Sequence, residues 1–186
     1  MAENNPKLAI EGGKPVRERY LSYGRQLVEE ADVTAVVDVL KSDWLTTGPT
    51  VERFEQEFAR WNGAKHSVAV SSGTAALHTA AFAAGFGPGD EVITTPLTFA
   101  ATANCLLYQG ATPVFADIDP ATLCIDPGKI QSLITPHTRG IIAMHYGGQP
   151  CDMDPILELA REHDLVVIED ACHAMGALYK GKSAGT

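Results

Sequence analysis

The sequence lacks the features that mark membrane-spanning, secreted and metal-binding proteins. No apolar run reaches the ~18 residues of a membrane span, and the polar stretch 1–6 has no apolar core of a signal peptide. The four cysteines lie far apart without a C-x-x-C pair, which fits reduced cytosolic thiols better than a disulfide framework or a zinc site. These absences predict a cytoplasmic protein without a metal centre.

Basic residues are also scarce, because 14 Lys and Arg face 23 Asp and Glu and leave a net charge of −9. This balance argues against a surface that binds nucleic acid or an anionic membrane. Charged residues make up 20% and hydrophobic residues 45% of the 186 positions, as in a globular domain with a full core. Neither an internal repeat nor a low-complexity segment interrupts the chain.

What is present is an alternation of strand and helix patterns after an extended arm over residues 1–25. Amphipathic spacing predicts helices over residues 29–41 and 51–61, the first with Val33, Val36, Val37 and Leu40 on one buried face. The pattern then predicts strands over 67–70, 91–95, 113–117, 140–145 and 165–169, separated by helices over 75–84, 98–109, 127–133 and 152–163. This alternation predicts an α/β fold with a mainly parallel sheet between helices.

One apolar strand ends in a carboxylate. Residues 166–168 are β-branched, which predicts a strand buried on both faces, as in a parallel sheet covered by helices. Asp170 then falls at the carboxyl end of the strand, where open α/β sheets bind their ligands. A solvated aspartate at a strand end is the alternative, since position alone does not establish function.

Two further motifs follow predicted strands. Residues 71–74 (SSGT) open a helix, whose free N–H groups and positive dipole end suit a phosphate, although an ordinary N-cap would use the same residue types. Residues 95–99 (TPLTF) place Phe99 at a helix start, where it could stack on a planar ring or staple the core.

Taken together, these residues fit one cofactor site. Asp170 can hold a proton on a pyridine nitrogen, which is how a protein turns the ring of pyridoxal 5′-phosphate (PLP) into an electron sink. His173 could contact the phenolic oxygen of that ring. A competing motif is GALYKGKS over 176–183, which matches the P-loop pattern of nucleotide hydrolases. Its context favours a hairpin turn, because a P-loop should leave a strand and open a helix.

In their order and spacing, these motifs resemble the DegT/StrS family of nucleotide-sugar aminotransferases, which have the PLP-transferase type I fold. The resembling segments run from residue 42 to residue 176: SDWLTTGPTV, VSSGTAAL, GDEVITTP, TFAATAN, GATPVFADID, HYGG and IEDACHAMG. The resemblance implies that Gly73 and Thr74 bind the cofactor phosphate and that Phe99 stacks on the ring. It also places Asp170 at the ring nitrogen and His173 at the phenolic oxygen.

The resemblance further implies a substrate and a donor. Thr46, Thr47 and Gly48 would line the sugar-nucleotide side, and L-glutamate would give the amino group in two half-reactions through the pyridoxamine form. Within the family, the sequence is similar to the C4 aminotransferases of pseudaminic acid and aminoarabinose biosynthesis. The implied substrate is a UDP-linked 4-keto-6-deoxy-HexNAc, which SDWLTTGP and EDACHA favour, with UDP-4-keto-arabinose as the alternative. The implied assembly is a homodimer.

One departure from the family pattern concerns lysine. None of the seven lysines stands at the position of the lysine that holds the cofactor covalently. We therefore expect residues 26–186 to be part of a PLP-binding large domain, without the lysine-bearing segment and the small domain, and inactive alone. A sugar dehydratase of the same family and a non-catalytic binding fragment are the alternatives.

Overall fold

A computed structural model describes residues 7–22 and 24–186, which form two units that divide after Thr47. The first unit contains a 3-10 helix, Ala9–Glu11, and helix α1, Glu30–Leu40. Helix α1 begins with a capping box, in which the Glu29 N–H donates to Asp32 Oδ2 at 2.8 Å. Of the predicted arm, residues 1–6 and 23 lie outside the described residues.

The position of helix α1 confirms the prediction over residues 29–41, but the buried face predicted for it is wrong. Val33, Val36 and Leu40 do lie at helical spacing, yet their side chains are exposed, and no residue of the helix is buried. Periodicity aligns apolar side chains on one face. Burial also requires a surface that packs against them.

The second unit holds the remaining helices and all strands of the described chain. Its helices are α2 (Pro49–Asn62), α3 (Gly73–Ala83), α4 (Ala101–Tyr108), α5 (Pro127–Ile130) and α6 (Met153–Glu162). Its strands are β1 (Glu91–Thr94), β2 (Thr112–Phe115), β3 (Thr138–Met144), β4 (Val166–Asp170), β5 (Leu178–Tyr179) and β6 (Lys182–Ser183). None of the helices among the described residues has the length and apolar character needed to cross a bilayer.

Four strands form one sheet in the order β2-β1-β3-β4, and every neighbouring pair is parallel. The predicted α/β fold with a parallel sheet is therefore confirmed. The chain moves to one side of β1 to form β2 and to the other side to form β3. The direction of the strand connections therefore reverses at β1. Open α/β sheets have a crevice at the carboxyl ends of the strands where this reversal occurs, and they bind their ligands in it.

The core has two layers, one on each face of the sheet. Ile93 and Ile141 point to the face covered by α5 and α6, whereas Val92 and Ile142 point to the face covered by α3 and α4. Successive strand residues point to opposite faces, so strands covered by helices on both sides must be apolar throughout. This is why the central strands read as continuous apolar runs.

Two strand predictions are wrong in part. Residues 67–70 are not paired as a strand: the Ala69 N–H donates to Glu55 Oε1 at 2.8 Å instead of to a neighbouring strand, and Val68 is 72% exposed. Strand β4 forms as predicted but is not buried on both faces, since Val166 is exposed. The reason is that β4 lies at the edge of the sheet that the described residues form.

The P-loop alternative is excluded by the conformation of residues 176–183. Strands β5 and β6 pair antiparallel as a hairpin, and its two turn residues, Lys180 and Gly181, have φ of 50° and 82°. Positive φ at both positions is typical of the tight turn that matches strand twist. A P-loop would instead lead into a helix, so the predicted hairpin is confirmed.

Tyr179 fastens this hairpin to the start of α6. Its hydroxyl donates to Asp152 Oδ1 at 2.6 Å and accepts from the Asp154 N–H at 3.3 Å, while Lys180 pairs with Asp154. We expect Tyr179→Phe to lower the free energy of unfolding by about 1–2 kcal/mol, because both hydrogen bonds of the hydroxyl are lost and the ring stays packed. Urea unfolding measures this value.

The matched control for this variant is Tyr108→Phe. The Tyr108 hydroxyl has no hydrogen bond to any described residue, so its removal should leave the free energy of unfolding unchanged. Equal stability of both variants and the unmodified protein would show that the Tyr179 hydroxyl does not fasten the hairpin.

Candidate functional site

A cavity of about 200 Å³ opens at the carboxyl ends of the parallel strands. Strand β3 contributes Met144, its last residue, and strand β4 contributes Asp170, also its last. The full lining is Gly73, Thr74, Leu77, Phe99, Ala101, Met144, Asp170, Cys172 and His173. Five of the residues singled out in the sequence thus lie around one space, as expected where parallel strands end together.

The first turn of α3 forms one wall of this cavity. Ser72 caps the helix in an extended conformation, and its Oγ accepts from the Ala75 N–H at 3.2 Å. The N–H groups of Gly73 and Thr74 have no hydrogen-bond partner among the described residues. Two free donors at the positive end of a helix dipole therefore face a cavity, an arrangement that suits a phosphate.

Glycine is also the only residue type that fits position 73 without displacing a neighbouring atom. A Cβ built there would lie 2.9 Å from the Sγ atom of Cys172, closer than a carbon and a sulfur atom can pack. The absence of a side chain lets the helix start approach the loop after β4. This close approach keeps the two free N–H groups within the same cavity wall as Asp170.

Asp170 is almost fully buried, with 3% of its surface exposed. Its Oδ2 accepts from Thr102 Oγ1 at 2.7 Å, and its Oδ1 accepts from the Cys172 N–H at 3.3 Å. An ionised carboxylate offers about four acceptor positions, so Oδ1 retains capacity for a further donor. A buried carboxylate with spare acceptor capacity at a cavity is suited to a ligand that brings its own N–H group.

His173 and Phe99 lie at the open side of the cavity. His173 is exposed, and its Nδ1 accepts from the Gly147 N–H at 3.4 Å, which leaves the proton of the neutral ring on Nε2. Its ring packs edge-on against Tyr146, with 6.2 Å between ring centroids. Phe99 is 70% exposed, so its ring face is available to a planar ligand.

The three residues predicted to line the sugar-nucleotide side fall at the division between the units. Thr46 and Thr47 end the first unit and Gly48 begins the second. Thr47 has φ of 56°, and its hydroxyl donates to the carbonyl oxygen of Thr46 at 2.6 Å. The structure therefore describes the two threonines separately from the cavity, and the role of all three stays a prediction.

Sequence reasoning missed a hydrogen-bonded pair beside the cavity, the buried His145 and the half-buried Glu169. His145 is fully buried, its Nδ1 accepts from the Cys151 N–H at 3.0 Å, and its Nε2 lies 2.7 Å from Glu169 Oε2. Because Nδ1 accepts, the ring is the neutral tautomer that donates from Nε2. The Gly185 N–H donates to the same Glu169 oxygen. The pair thus ties the ends of β3 and β4 to the turn that follows the hairpin.

Sequence reasoning also missed Thr102, which the contact with Asp170 reveals. Thr102 lies on α4 among the buried residues Ala101, Cys105 and Leu106. A hydroxyl on an otherwise apolar buried face was the available signal, since buried polar groups need a partner. Within residues 7–22 and 24–186, no group of three His, Cys, Asp or Glu side chains is arranged to hold a metal ion.

The two thiols near Asp170, those of Cys105 and Cys172, have raised pKa values and therefore ionise less readily than a free cysteine. Partial enclosure, together with the hydrogen bond and charge of Asp170, raises the pKa of Cys172 from 9.0 to about 11. Burial, with a smaller contribution from the same charge, raises the pKa of Cys105 to about 11. Of the four cysteines, which are all free thiols, only Cys172 is exposed.

We therefore expect Cys172 to react slowly with iodoacetamide in the cofactor-free protein. With the pKa raised by about two units, the thiolate fraction at pH 8 falls about 100-fold, and the rate falls with it. The rate should rise with pH until about 11, and Asp170→Asn should increase it at pH 8 because the anionic neighbour is removed. Mass spectrometry of the alkylated peptide measures the rate. A plateau near pH 9 would contradict the expectation.

Comparison with known proteins places the chain in a family. The model of the DegT/DnrJ/EryC1/StrS aminotransferase family matches residues 26–186. Among similar proteins, the spore coat polysaccharide biosynthesis protein SpsC of Bacillus subtilis (strain 168) is 52% identical over 170 residues, which are 91% of this chain and 44% of SpsC. The GDP-perosamine synthase of Caulobacter vibrioides is 50% identical over 152 residues, which are 81% of this chain and 41% of that enzyme.

A similar solved structure is the PLP form of the sugar aminotransferase Spr1654 from Streptococcus pneumoniae, described as putative. It superposes with a TM-score of 0.84 at 31% identity and covers 88% of this chain and 45% of Spr1654. The chain therefore spans less than half of the length of these relatives. The family match extends over most of the chain, from the segment before α1 to its last residue. The chain belongs to the DegT/DnrJ/EryC1/StrS aminotransferase family.

Proposed function

We propose that the intact protein is a PLP-dependent aminotransferase that moves an amino group from L-glutamate to a keto-sugar nucleotide. The observation that carries the proposal is the cavity itself. It joins a buried carboxylate, Asp170, to the two unpartnered N–H groups of Gly73 and Thr74. A pyridine ring with a phosphate group needs both of these features at once.

The residues present fit this cofactor. The phosphate would be held by the first turn of α3, and the ring would lie between Phe99 and the loop that carries His173. Asp170 would hold a proton on the ring nitrogen, for which Oδ1 has acceptor capacity. When bound, PLP supplies an electron sink for bond breaking at the amino-bearing carbon.

The chain's own residues prepare this site in three ways. Asp170 is buried, so its attraction to a ring N–H group would act in a medium of low dielectric constant, where it is stronger than in water. His173 presents a neutral ring whose Nε2–H can donate to an anionic oxygen. The free N–H groups of α3 orient an anionic group without needing a charged side chain.

The proposed acceptor is C4 of a UDP-linked 4-keto-6-deoxy-HexNAc, with Thr46, Thr47 and Gly48 on the sugar-nucleotide side. Relatives named for perosamine synthesis and for spore coat polysaccharide support a sugar-nucleotide substrate. A GDP-linked 4-keto sugar is the alternative acceptor, since the perosamine synthase is named for that nucleotide. The product would serve surface polysaccharide or glycan synthesis.

The proposal concerns the whole protein, because none of the described residues that line the cavity is a lysine. Amino transfer by PLP enzymes uses a lysine amine as the covalent anchor and proton carrier. We infer that residues 26–186 are the cofactor-binding part of a large domain, supported by the extent of the family match. We further propose a cytoplasmic homodimer. Free cysteines support a reducing compartment, and exposed Phe54 and Trp61 on α2 support association with further protein.

The test is a half-reaction with the intact protein. PLP should give a visible absorbance band, and L-glutamate alone should remove the band and yield one equivalent of 2-oxoglutarate per site. Addition of the UDP-linked or the GDP-linked 4-keto sugar should then restore the band, and the faster of the two identifies the nucleotide. A band that L-glutamate does not change, with dehydration of the sugar nucleotide, would replace the aminotransferase by the dehydratase of the same family.

A further inference from the structure

The buried hydroxyl of Thr102 joins two elements that lie far apart in the sequence. Thr102 is on α4 and Asp170 ends β4, yet Thr102 Oγ1 and Asp170 Oδ2 are 2.7 Å apart. Thr102 is fully buried, so water does not replace this bond. Thr98, four residues earlier in the loop before α4, lies with its Oγ1 2.6 Å from Thr102 Oγ1.

The directions of these two bonds follow from the chemistry of the groups. An ionised carboxylate accepts hydrogen bonds and cannot donate them, so Thr102 must donate its only hydroxyl proton to Asp170. The bond between the two threonines must then be donated by Thr98. The result is a directed chain, from Thr98 through Thr102 to Asp170 Oδ2, in which each bond polarises the next.

This chain leaves the two oxygen atoms of Asp170 unequal. Oδ2 is engaged by a short bond in a buried position, whereas the bond from the Cys172 N–H to Oδ1 is longer, at 3.3 Å. Fixing Oδ2 holds the plane of the carboxylate. Oδ1 is then the oxygen atom free to accept from a ligand.

We propose that Thr102 is a positioning residue for the aminotransferase site, and that its hydroxyl fixes the carboxylate of Asp170 so that Oδ1 faces the ring nitrogen of the cofactor. The inference rests on the proposed function. Thr102 acts through Asp170 and does not touch the ligand in this arrangement. Thr98 acts on Asp170 through its hydrogen bond to Thr102. Removing the Thr98 hydroxyl should therefore have the same effect on binding as removing the Thr102 hydroxyl, but a smaller one.

The variants that isolate the hydroxyl are Thr102→Val and Thr102→Ser. Valine keeps the branched shape and removes the donor, while serine keeps the donor and removes one methyl group. The probes are pyridoxamine 5′-phosphate and its 1-deaza analogue, in which a C–H group replaces the ring nitrogen. The analogue keeps the phosphate and the ring shape but offers Asp170 no N–H group.

The measurement is the dissociation constant of each probe for the intact cofactor-free protein, followed by fluorescence. Thr102→Val should weaken binding of pyridoxamine 5′-phosphate about tenfold, the effect of losing one hydrogen bond to a charged group. Binding of the analogue should not change. Thr102→Ser should restore binding of pyridoxamine 5′-phosphate. Thr98→Val should show a smaller loss, again for pyridoxamine 5′-phosphate alone.

Each other outcome overturns a separate statement. Equal weakening of both probes by Thr102→Val would show that Thr102 only packs α4 against β4, and the inference would fail while the proposed function stood. If the unmodified protein binds neither probe, the proposed function fails first. If Thr102→Val does not fold, Thr98→Val tests the inference instead, because Thr98 is only half-buried. The inference then requires that Thr98→Val weakens binding of pyridoxamine 5′-phosphate and leaves binding of the analogue unchanged.

Discussion

Asp170→Asn in the intact protein should bind PLP and yet lose about 100-fold or more of the rate of amino transfer from L-glutamate. Removing one partner of a buried, hydrogen-bonded charge pair costs about 2–5 kcal/mol, and each 1.4 kcal/mol is about a factor of ten in rate. Cofactor binding should survive because the N–H groups of Gly73 and Thr74 are untouched.

The geometry explains why an amide cannot replace this carboxylate. Thr102 donates to one oxygen of Asp170, so the asparagine would keep its oxygen toward Thr102 and turn its NH₂ group toward the ring. An NH₂ group donates and cannot accept from a protonated ring nitrogen. The ring would remain unprotonated, and its capacity to take up electrons would fall.

Stopped-flow absorbance of the half-reaction measures this rate directly. The matched control is Asp164→Asn, which makes the same chemical change at an exposed turn residue with φ of 53°, a conformation that asparagine adopts readily. It should react at the unmodified rate. Near-normal turnover in Asp170→Asn would show that Asp170 does not hold the ring nitrogen.

The sequence was sufficient to predict that the candidate site residues lie close together at one edge of the sheet. Asp170 and Phe99 follow strands that the apolar runs identify, and Gly73 opens a helix marked by its serine cap. Parallel strands separated by helices must end at the same edge of the sheet, so residues after successive strands converge whatever their spacing. The structure places all of these around one cavity.

The role of Thr102 could not be predicted from the sequence, because it depends on a contact between α4 and β4. The bond to Asp170 spans 68 positions, and no local pattern encodes which residue of a helix faces which strand end. The same limit applies to His145 and Glu169. Their hydrogen bond forms only because β3 and β4 are neighbours in register, with Met144 opposite Asp170.

The errors at residues 67–70 and in β4 have one physical origin. Strand propensity measures how well a side chain fits a pleated, half-buried surface, and Val68 and Val166 fit such a surface. Pairing and burial also require a neighbour on the correct side. Among the described residues, Ala69 finds a side-chain acceptor, and β4 has a strand on one side only.

Gly140→Ala should lower the free energy of unfolding by about 1–3 kcal/mol, the usual cost of overfilling a packed core. Gly140 lies in β3, and a Cβ built there would be 2.5 Å from Phe86 Cζ and 2.8 Å from the carbonyl oxygen of Val166. The Phe86 ring is itself buried. The oxygen atom belongs to the backbone of β4, so neither neighbour can move aside cheaply.

The strain of this substitution would fall on the β3–β4 pair and so on the site. The methyl group would push β4 away from β3 at Val166, the first residue of β4, and Asp170 ends the same strand four residues later. The control is Gly87→Ala, where a Cβ would meet nothing within 4 Å. Urea unfolding should separate the two variants. Equal stability would mean that Phe86 and β4 relax around the methyl group, and that the close packing at Gly140 does not limit the side chain that this position accepts.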